Sequence, residues 1–314
     1  MNNLKKVSVV IPVYNEEEVL PELNTRFKNL IDSSKNYEYE IIFVNDGSKD
    51  GSLEILEGIA KEDKNIKVLS FSRNFGHQCA VTAGLKYVTG DAIVIIDADL
   101  QDPPELIPEM LKLWEDGNEI IYGKRKIRQG ESKFKLLTAK MFYKTLNALS
   151  DVEIPKDTGD FRLVDRKVVD VINSLPEHNK FLRGLFSWIG FEQTAFEYER
   201  KKRFAGKTKY PIKKMVRLAS DGIIGFSTKP LKLVGGLGTL TIFISIILLI
   251  YAILSFIFKW NFLTPGWTSL MVAITFFSGV ILISLWMMGE YISRIYDESK
   301  NRPQYIIKKK INID

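Results

Sequence analysis

The chain has 314 residues and carries 44 lysines and arginines against 38 acidic residues, a formal net charge of +6. This length is too great for one small domain and suits one large domain with an appendage. Cys79 is the only cysteine, which excludes an intramolecular disulfide and a zinc site built from several cysteines. His77 and His178 are far apart in sequence and lack the spacing of metal ligands.

Short apolar runs predict buried strands in the first part of the chain, at residues 7–13, 41–44, 66–71, 92–96 and 120–123. Helical patterns lie between them. Asn15, with Glu18 three residues later, predicts a capping box at the start of the first helix. Strands that are apolar throughout are typical of a sheet that helices cover on both faces. The sequence therefore predicts an α/β fold with a mostly parallel central sheet.

Polar residues follow several of these strands, at residues 14–16, 45–48 and 97–99. In open α/β sheets, ligands bind at the carboxyl ends of the strands, where the helices begin. We therefore expect the three clusters to converge on one site.

Asp97 and Asp99 follow the fourth predicted strand. Residues two apart in extended chain point the same way, so both carboxylates can face one site. Paired carboxylates suit Mg²⁺ or Mn²⁺, which take oxygen ligands and neutralise charge on a departing diphosphate. The alternative is a strand that ends in solvated aspartates.

Three further polar features have two interpretations each. Asp46 can accept a hydrogen bond from a base or ribose, or can simply form an Asp-Gly turn. Asp160 is a candidate general base or positioning group, or it pairs with Arg162 or Arg166. The basic stretch 200–210 can clamp phosphates, lie on a membrane surface, or do both.

Two long stretches, 233–258 and 260–289, contain no charged residue. Each is long enough to span a bilayer as a helix, whereas buried core helices rarely run so far without a charge. We predict membrane helices at 231–258 and 267–291, joined by a short external loop at 259–266.

Basic residues flank the predicted spans, and the loop between them carries only Lys259. By the positive-inside rule, both termini are expected in the cytoplasm, with a basic tail at 292–314. Residues 211–228 predict a basic amphipathic helix that lies in the interface, or else an ordinary helix packed on the domain before it. Because the basic residues adjoin the spans, we do not expect nucleic acid as a partner.

Other sequence features exclude several classes of protein. The polar start 1–6 and the short apolar run cut by Pro12 do not form a signal peptide, so domain 1–210 is expected in the cytoplasm as part of a multi-pass inner-membrane protein. No Gly-x-Gly-x-x-Gly follows the first strand, and no Walker loop occurs, which argues against a dehydrogenase and a P-loop NTPase. Neither histidine lies in a serine-hydrolase motif.

Taken in order, these motifs resemble family-2 glycosyltransferases of the GT-A fold. The resemblance is greatest to the polyprenyl-phosphate branch, which includes dolichol-phosphate mannose synthases and bactoprenol glucosyltransferases; the two C-terminal spans fit the latter type. Asn45 stands where the family's second motif begins with an acidic residue. The motifs lie at residues 10–17, 44–50, 73–76, 97–104, 159–163 and 203–210.

The resemblance implies a role for each motif. The residues that would hold the nucleotide, UDP, are Pro12, Tyr14, Glu16 and Asp46. Those that would surround the metal and the donor are Asp97, Asp99 and Gln101, with Asp99 as a direct ligand. The candidates for phosphate contacts are Arg125, Arg203 and Lys209. Asp160 would lie near the sugar and the acceptor.

The resemblance also implies an inverting transfer of one sugar, from UDP-glucose or another UDP-hexose, to polyprenyl phosphate (undecaprenyl phosphate). The Gln-x-x-Arg-Trp motif of processive synthases does not occur in the sequence. A phosphate acceptor is already anionic near neutral pH, so Asp160 is expected to position rather than to abstract a proton. A non-catalytic membrane scaffold or lipid-carrier partner is the alternative function.

Two expectations concern partners. Two spans without buried charge make a poor translocation path, so we expect a separate flippase to export the product. Small residues in the spans would permit helices to approach closely, which leaves homo-oligomerisation open.

Overall fold

The computed structural model describes residues 4–125, 158–178, 180–199, 227–258 and 266–313. Arg203, Lys209, most of the predicted interfacial helix 211–228 and most of the predicted external loop 259–266 lie outside these ranges. The strands are β1 Lys5–Val13, β2 Tyr37–Asn45, β3 Ile66–Phe71, β4 Ala92–Ile95, β5 Ile120–Arg125, β6 Thr158–Asp165, β7 Gln193–Tyr198 and β8 Ile307–Ile311. The α-helices are α1 Leu20–Ser33, α2 Ser52–Glu62, α3 His77–Tyr87, α4 Ile107–Glu115, α5 Arg166–Ser174, α6 Leu182–Trp188, α7 Lys229–Ile257 and α8 Trp267–Ser299.

Within the described residues the strands form one sheet in the order β7-β5-β6-β4-β1-β2-β3-β8. Strands β4, β1, β2 and β3 run parallel, as do β5 and β7. Strand β6 is antiparallel to both β4 and β5, and β8 is antiparallel to β3. The prediction of an α/β fold with a mostly parallel sheet is confirmed, and the sheet is mixed.

Alternate residues of β1 face opposite sides of the sheet, as the pleat requires. Val9 and Ile11 pack in the core that includes α1, α2 and α4, whereas Val10 packs in the core on the other face, with α3, α5 and α6. Helix α3 lies so close to β1 that a Cβ on Gly84 would come within 2.3 Å of Val10. Burial on both faces explains why these strands are apolar at most positions.

The predicted capping box at Asn15 is wrong. Helix α1 begins at Leu20, with Val19 as the residue before it. Asn15 instead has φ 53°, and its side-chain oxygen accepts a hydrogen bond from the Lys49 amide at 2.8 Å. Asparagine tolerates this left-handed conformation better than most residues, and here it joins two loops rather than starting a helix.

The C-terminal segment does more than form a basic tail. After α8 the chain returns to the sheet as β8, which pairs with the edge strand β3. Tyr305 stacks on Phe71 with ring centroids 5.0 Å apart. Lys309 pairs with Glu57 at 2.7 Å, and the Asn312 side chain donates to the Ile66 carbonyl at 2.8 Å. Both ends of the described chain therefore belong to one sheet.

Helices α7 and α8 have 29 and 33 residues. Both expose large apolar side chains, for example Leu233 and Phe243 on α7 and Leu282 and Trp286 on α8. In the part of the chain that the structure describes, one stretch, Phe276–Ser299, is long and apolar enough to cross a membrane by length and composition. Helix α8 also continues past the predicted boundary at residue 291. The predicted span at 231–258, in α7, stays a prediction.

A buried carboxylate ties β1, β2 and β3 together at the end of the sheet where α3 leads into β4. Glu40 is 1% exposed and accepts hydrogen bonds from Ser8, from the amide and hydroxyl of Thr89, and from Lys67 at 2.8 Å. Lys6 lies 3.2 Å away. Burial by itself would raise the pKa of Glu40, but the donors Lys67, Ser8 and Thr89 lower it to about 2.

We predict that Glu40→Gln lowers the free energy of unfolding by about 3 kcal/mol at neutral pH. The folded pKa of about 2 lies below the ordinary 4.5, so this stabilisation is present above pH 4.5 and is lost as the pH falls toward 2. Denaturant titrations of the full chain at several pH values measure it. Glu38→Gln, at an exposed position of the same strand, is the control and should change little. Equal stability of the two variants at pH 7 would contradict the assignment.

Candidate active site

The loops that follow β1 and β2 are bound to each other at the carboxyl ends of the strands. The Asn15 amide donates to the Ser48 hydroxyl at 3.0 Å, and the Glu16 amide donates to the Ser52 hydroxyl at 2.9 Å. Pro12 is buried in β1 opposite Val44. The first two predicted clusters thus converge, because parallel neighbouring strands end at the same edge.

Tyr14 and Glu16, the next two predicted nucleotide-binding residues, lie half-buried in the loop after β1. This loop is therefore fixed by its neighbour while two of its side chains keep access to the edge of the sheet. Their contact with a nucleotide stays a prediction.

Asp46, which follows β2, is 3% exposed and binds the start of α3. Its carboxylate accepts from the Phe75 amide at 2.7 Å, the Gly76 amide at 3.0 Å and the Asn74 side chain at 2.9 Å. Burial raises the pKa of Asp46 although the Phe75 and Gly76 amides oppose the shift. The positive end of the helix dipole also favours a carboxylate here. Asp46 therefore organises the loop before α3, and its direct contact with a nucleotide stays a prediction.

The glycine of the Asp-Gly pair at 46–47 is required by the close approach of two loops. Gly47 has φ 63°, and a Cβ there would lie 2.3 Å from the Arg73 carbonyl carbon. Any side chain would push the loop after β3 away from the loop after β2. Glycine is the residue that meets both demands.

The Asp-x-Asp segment after β4 turns sharply. Leu100 is buried yet has φ 57°, a conformation that is uncommon for a residue with a Cβ and is often found at functional sites. Asp99 is 6% exposed and accepts from the Gln101 amide at 3.1 Å, whereas the Asp97 side chain is 29% exposed. The turn therefore replaces the extended geometry that the spacing suggested.

Asp160 meets Asp97 because β6 is antiparallel to β4. Arg162 of β6 pairs with Ile95 of β4, so the start of β6 lies at the carboxyl end of β4. Arg183 holds Asp160 through two bonds, Nε to Oδ1 at 2.7 Å and Nη2 to Oδ2 at 3.0 Å. The partner of Asp160 is thus Arg183 on α6 rather than Arg162 or Arg166.

His77, the first residue of α3, joins the two acids. Its Nε2 lies 3.0 Å from Asp160 Oδ2 and 3.7 Å from Asp97 Oδ1. Burial would lower the pKa of His77, but the charges of Asp97 and Asp160 raise it to about 9, so the ring is an imidazolium at neutral pH. Burial would likewise raise the pKa of Asp160, yet Arg183 and His77 hold it well below its usual range.

The charge around Asp97 is less well balanced. Burial raises the pKa of Asp97 to about 6, and the neighbouring acids Asp160, Asp102 and Asp99 add to the rise while His77 opposes it. Ligand atoms of His77, Asp97 and Asp160 lie within 4.8 Å of one another. A cluster of carboxylate oxygens with surplus negative charge fits a hard divalent cation. Asp97 belongs both to this cluster and to the predicted set Asp97, Asp99 and Gln101.

Sequence reasoning missed two residues of the cluster. His77 follows the predicted motif 73–76 at the start of a helix after β3, which is a signal for a site residue. Arg183 carries no such signal, because its contact with Asp160 depends on the packing of α6. Of the predicted phosphate contacts, Arg125 ends β5 and its side chain is not described, and Arg203 and Lys209 lie outside the described residues.

The chain is similar in sequence to a known protein family and to several of its members. Residues 8–172 match the model of glycosyl transferase family 2. The chain is 53% identical over 310 residues to an uncharacterized glycosyltransferase, YkcC, of Bacillus subtilis, covering 98% of this chain and 94% of that protein. It is 43% identical over 306 residues to the bactoprenol glucosyl transferase of Shigella phage SfII, covering 97% and 98%.

Among solved structures, glucosyl-3-phosphoglycerate synthase from Mycobacterium tuberculosis, in complex with Mg²⁺ and UDP, has a TM-score of 0.47 and 18% identity over 70% of this chain and 77% of that chain. The match to the family model and the near-complete relatives establish the family. The protein belongs to glycosyltransferase family 2.

We predict that His77→Gln tightens the binding of Mn²⁺ to the full chain on the order of tenfold, because it removes a positive charge beside Asp97 and Asp160. Electron paramagnetic resonance titration of free Mn²⁺ measures the affinity. His178→Gln is the matched control and should leave it unchanged. Weaker Mn²⁺ binding by His77→Gln would show instead that the imidazole is a metal ligand.

Proposed function

We propose that this protein transfers one sugar from a nucleotide-sugar, UDP-glucose or another UDP-hexose, to polyprenyl phosphate at the cytoplasmic face of the membrane. The product is a lipid-linked sugar for glycosylation of the cell envelope. The observation that carries the proposal is a carboxylate site at the strand ends of a family-2 fold in the same chain as two long, apolar, exposed helices. The bactoprenol glucosyl transferases that match almost the whole chain support the lipid acceptor.

The path of the chain supports two membrane crossings. Strand β7 and strand β8 belong to one sheet, and α7 and α8 lie between them in sequence. A chain that leaves a cytoplasmic domain and returns to it must cross a bilayer an even number of times. If α8 crosses, then a second crossing is needed, and α7 provides the apolar length for it. This topology agrees with spans at 231–258 and 267–291, and with both termini in the cytoplasm.

Within the site, the residues have separate tasks. The loops after β1 and β2 bind the nucleotide through Pro12, Tyr14, Glu16 and Asp46. Asp97, Asp99 and Gln101 hold a divalent cation, Mg²⁺ or Mn²⁺, which when bound neutralises charge on the diphosphate leaving group. Arg125, Arg203 and Lys209 contact phosphates.

Asp160 positions the acceptor end of the site. Both of its carboxylate oxygens already accept hydrogen bonds from Arg183, and His77 adds another contact. An attacking phosphate oxygen is anionic and needs little help from a base. The acceptor phosphate would attack the anomeric carbon from the face opposite the diphosphate, which inverts the configuration at that carbon. Asp160 would keep the cationic groups Arg183 and His77 in place beside the reacting atoms.

A non-catalytic scaffold is the competing function. It would explain the membrane helices but not why Asp97 and Asp160 lie together at the strand ends. If the protein is instead the proposed transferase, a separate flippase would export its product, because two spans without buried charge offer no polar path.

The decisive experiment supplies membranes containing the full chain with radiolabelled nucleotide-sugars and undecaprenyl phosphate, and then extracts the lipid. We expect label in the lipid fraction from a UDP-hexose, and a loss of about a hundredfold or more with Asp99→Ala. Asp116→Asn, at an exposed position after α4, is the control and should retain activity. No labelled lipid from any donor, or full activity of Asp99→Ala, would sink the proposal.

The pH dependence of transfer tests the role of Asp160. Because the pKa of Asp160 is held well below its ordinary value, the carboxylate is ionised throughout the range from pH 5 to 8. We expect Asp160→Asn to lower kcat without removing a limb from the pH–rate profile. A limb that reports Asp97, whose pKa of about 6 Asp160 helps to raise, should only move to lower pH. A single-base limb in the unmodified protein that disappears in Asp160→Asn would identify a general base.

A further inference from the structure

The cluster around Asp160 is connected to the end of α8 through a short part of the chain between α5 and α6. Glu298, in the last turn of α8, accepts hydrogen bonds from the His178 amide, at 3.1 Å to Oε1 and 3.0 Å to Oε2. Gln304, just beyond α8, donates to the Glu177 carbonyl at 2.5 Å. Two side chains from the end of α8 and its continuation therefore hold two consecutive backbone groups.

The same part of the chain is held from the catalytic domain. Lys180 is 7% exposed and donates to the Ile172 carbonyl at 2.8 Å, which binds it to α5. The Leu182 amide, at the start of α6, donates to the Gln78 side chain of α3 at 3.1 Å. Gln78 directly follows His77. The start of α6 is thus tied to α3, and the segment before it is tied to the end of α8.

Helix α6 carries Arg183, the residue that holds Asp160 through two hydrogen bonds. The position of Glu298 is itself fixed, because β8 pairs with β3 and Tyr305 stacks on Phe71 a few residues later. The end of the apolar helix, the start of α6 and the acidic cluster therefore form one connected set of contacts.

We propose that Glu298 is a positioning residue for sugar transfer, which acts through the His178 backbone and α6 to set Arg183 against Asp160. It thereby links the position of α8 in the membrane to the acceptor end of the site. This inference rests on the proposed function, since it assigns the acceptor end of the same site. Neighbouring Asp297 differs from Glu298, because it pairs only with Lys300 among the contacts that the structure describes for it.

The first test measures structure and does not depend on activity. Hydrogen–deuterium exchange of the full chain in lipid nanodiscs is compared for Glu298→Ala and the matched control Asp297→Ala. We expect faster exchange in peptides covering residues 175–187 for Glu298→Ala alone, with strands β1 and β2 unchanged in both variants. Equal exchange of the two variants across 175–187 would overturn the proposal even if the protein transfers no sugar.

The second test measures transfer to undecaprenyl phosphate. Loss of a hydrogen bond to a carboxylate at this exposed position should lower kcat about fivefold in Glu298→Ala, with the KM for the nucleotide-sugar unchanged. Glu298→Gln keeps an acceptor oxygen and should recover most of the rate. Gln304→Ala, which releases the neighbouring carbonyl, should resemble Glu298→Ala.

A double-mutant cycle separates positioning from general destabilisation. Because Glu298 is expected to act through Arg183, Glu298→Ala should cost little further rate once Arg183→Gln is present. Combined with Tyr14→Phe, a change in the loop after β1, its effect should multiply in full. Full multiplication with Arg183→Gln as well would refute the proposed route. An unmodified protein that transfers no sugar would instead refute the proposed function and leave the exchange measurement to decide on Glu298.

Discussion

The structure depends on how negative charge is buried at the carboxyl ends of the central strands. A buried carboxylate is costly unless hydrogen bonds or cations compensate it. Backbone amides at the start of α3 compensate Asp46, and Arg183 and His77 compensate Asp160. Asp97 is compensated least: burial raises its pKa to about 6, and the neighbouring acids add to the rise while His77 opposes it. The least compensated position in this set is therefore the place where a divalent cation would lower the free energy most.

The same contacts that balance charge also determine the fold around the site. Asp46 holds the loop after β3 against the loop after β2, and Gly47 makes that approach possible. Asp160 draws α6 toward α3 through Arg183 and His77. A change in one carboxylate would thus alter both the electrostatics and the positions of the elements that carry its partners. Effects of mutations within this cluster should be non-additive for that reason.

The sequence predicted the central strands because burial on both faces produces continuous apolar runs such as 7–13. It also predicted that polar residues at strand ends, among them Asp97, would gather at one edge. It did not predict the contacts of His77 and Arg183 with Asp160, since those residues are 83 and 23 positions away and meet through packing. Strand β8 was missed because its Lys308–Lys310 run has the composition of a tail. Asn15 was misread because asparagine serves helix caps and left-handed turns equally well.

A lipid acceptor places unusual demands on a family-2 site, and the described contacts are consistent with them. A sugar hydroxyl must lose a proton as it attacks, which calls for a base with a pKa near the working pH. An anionic phosphate needs cations that hold it in line with the donor, and a carboxylate clamped by Arg183 and His77 is suited to fixing such cations rather than to accepting a proton. The lipid also restricts the direction from which that phosphate arrives. A connection from the end of α8 through the His178 backbone and α6 to Arg183 would keep the cationic side of the site aligned with the surface that delivers the acceptor.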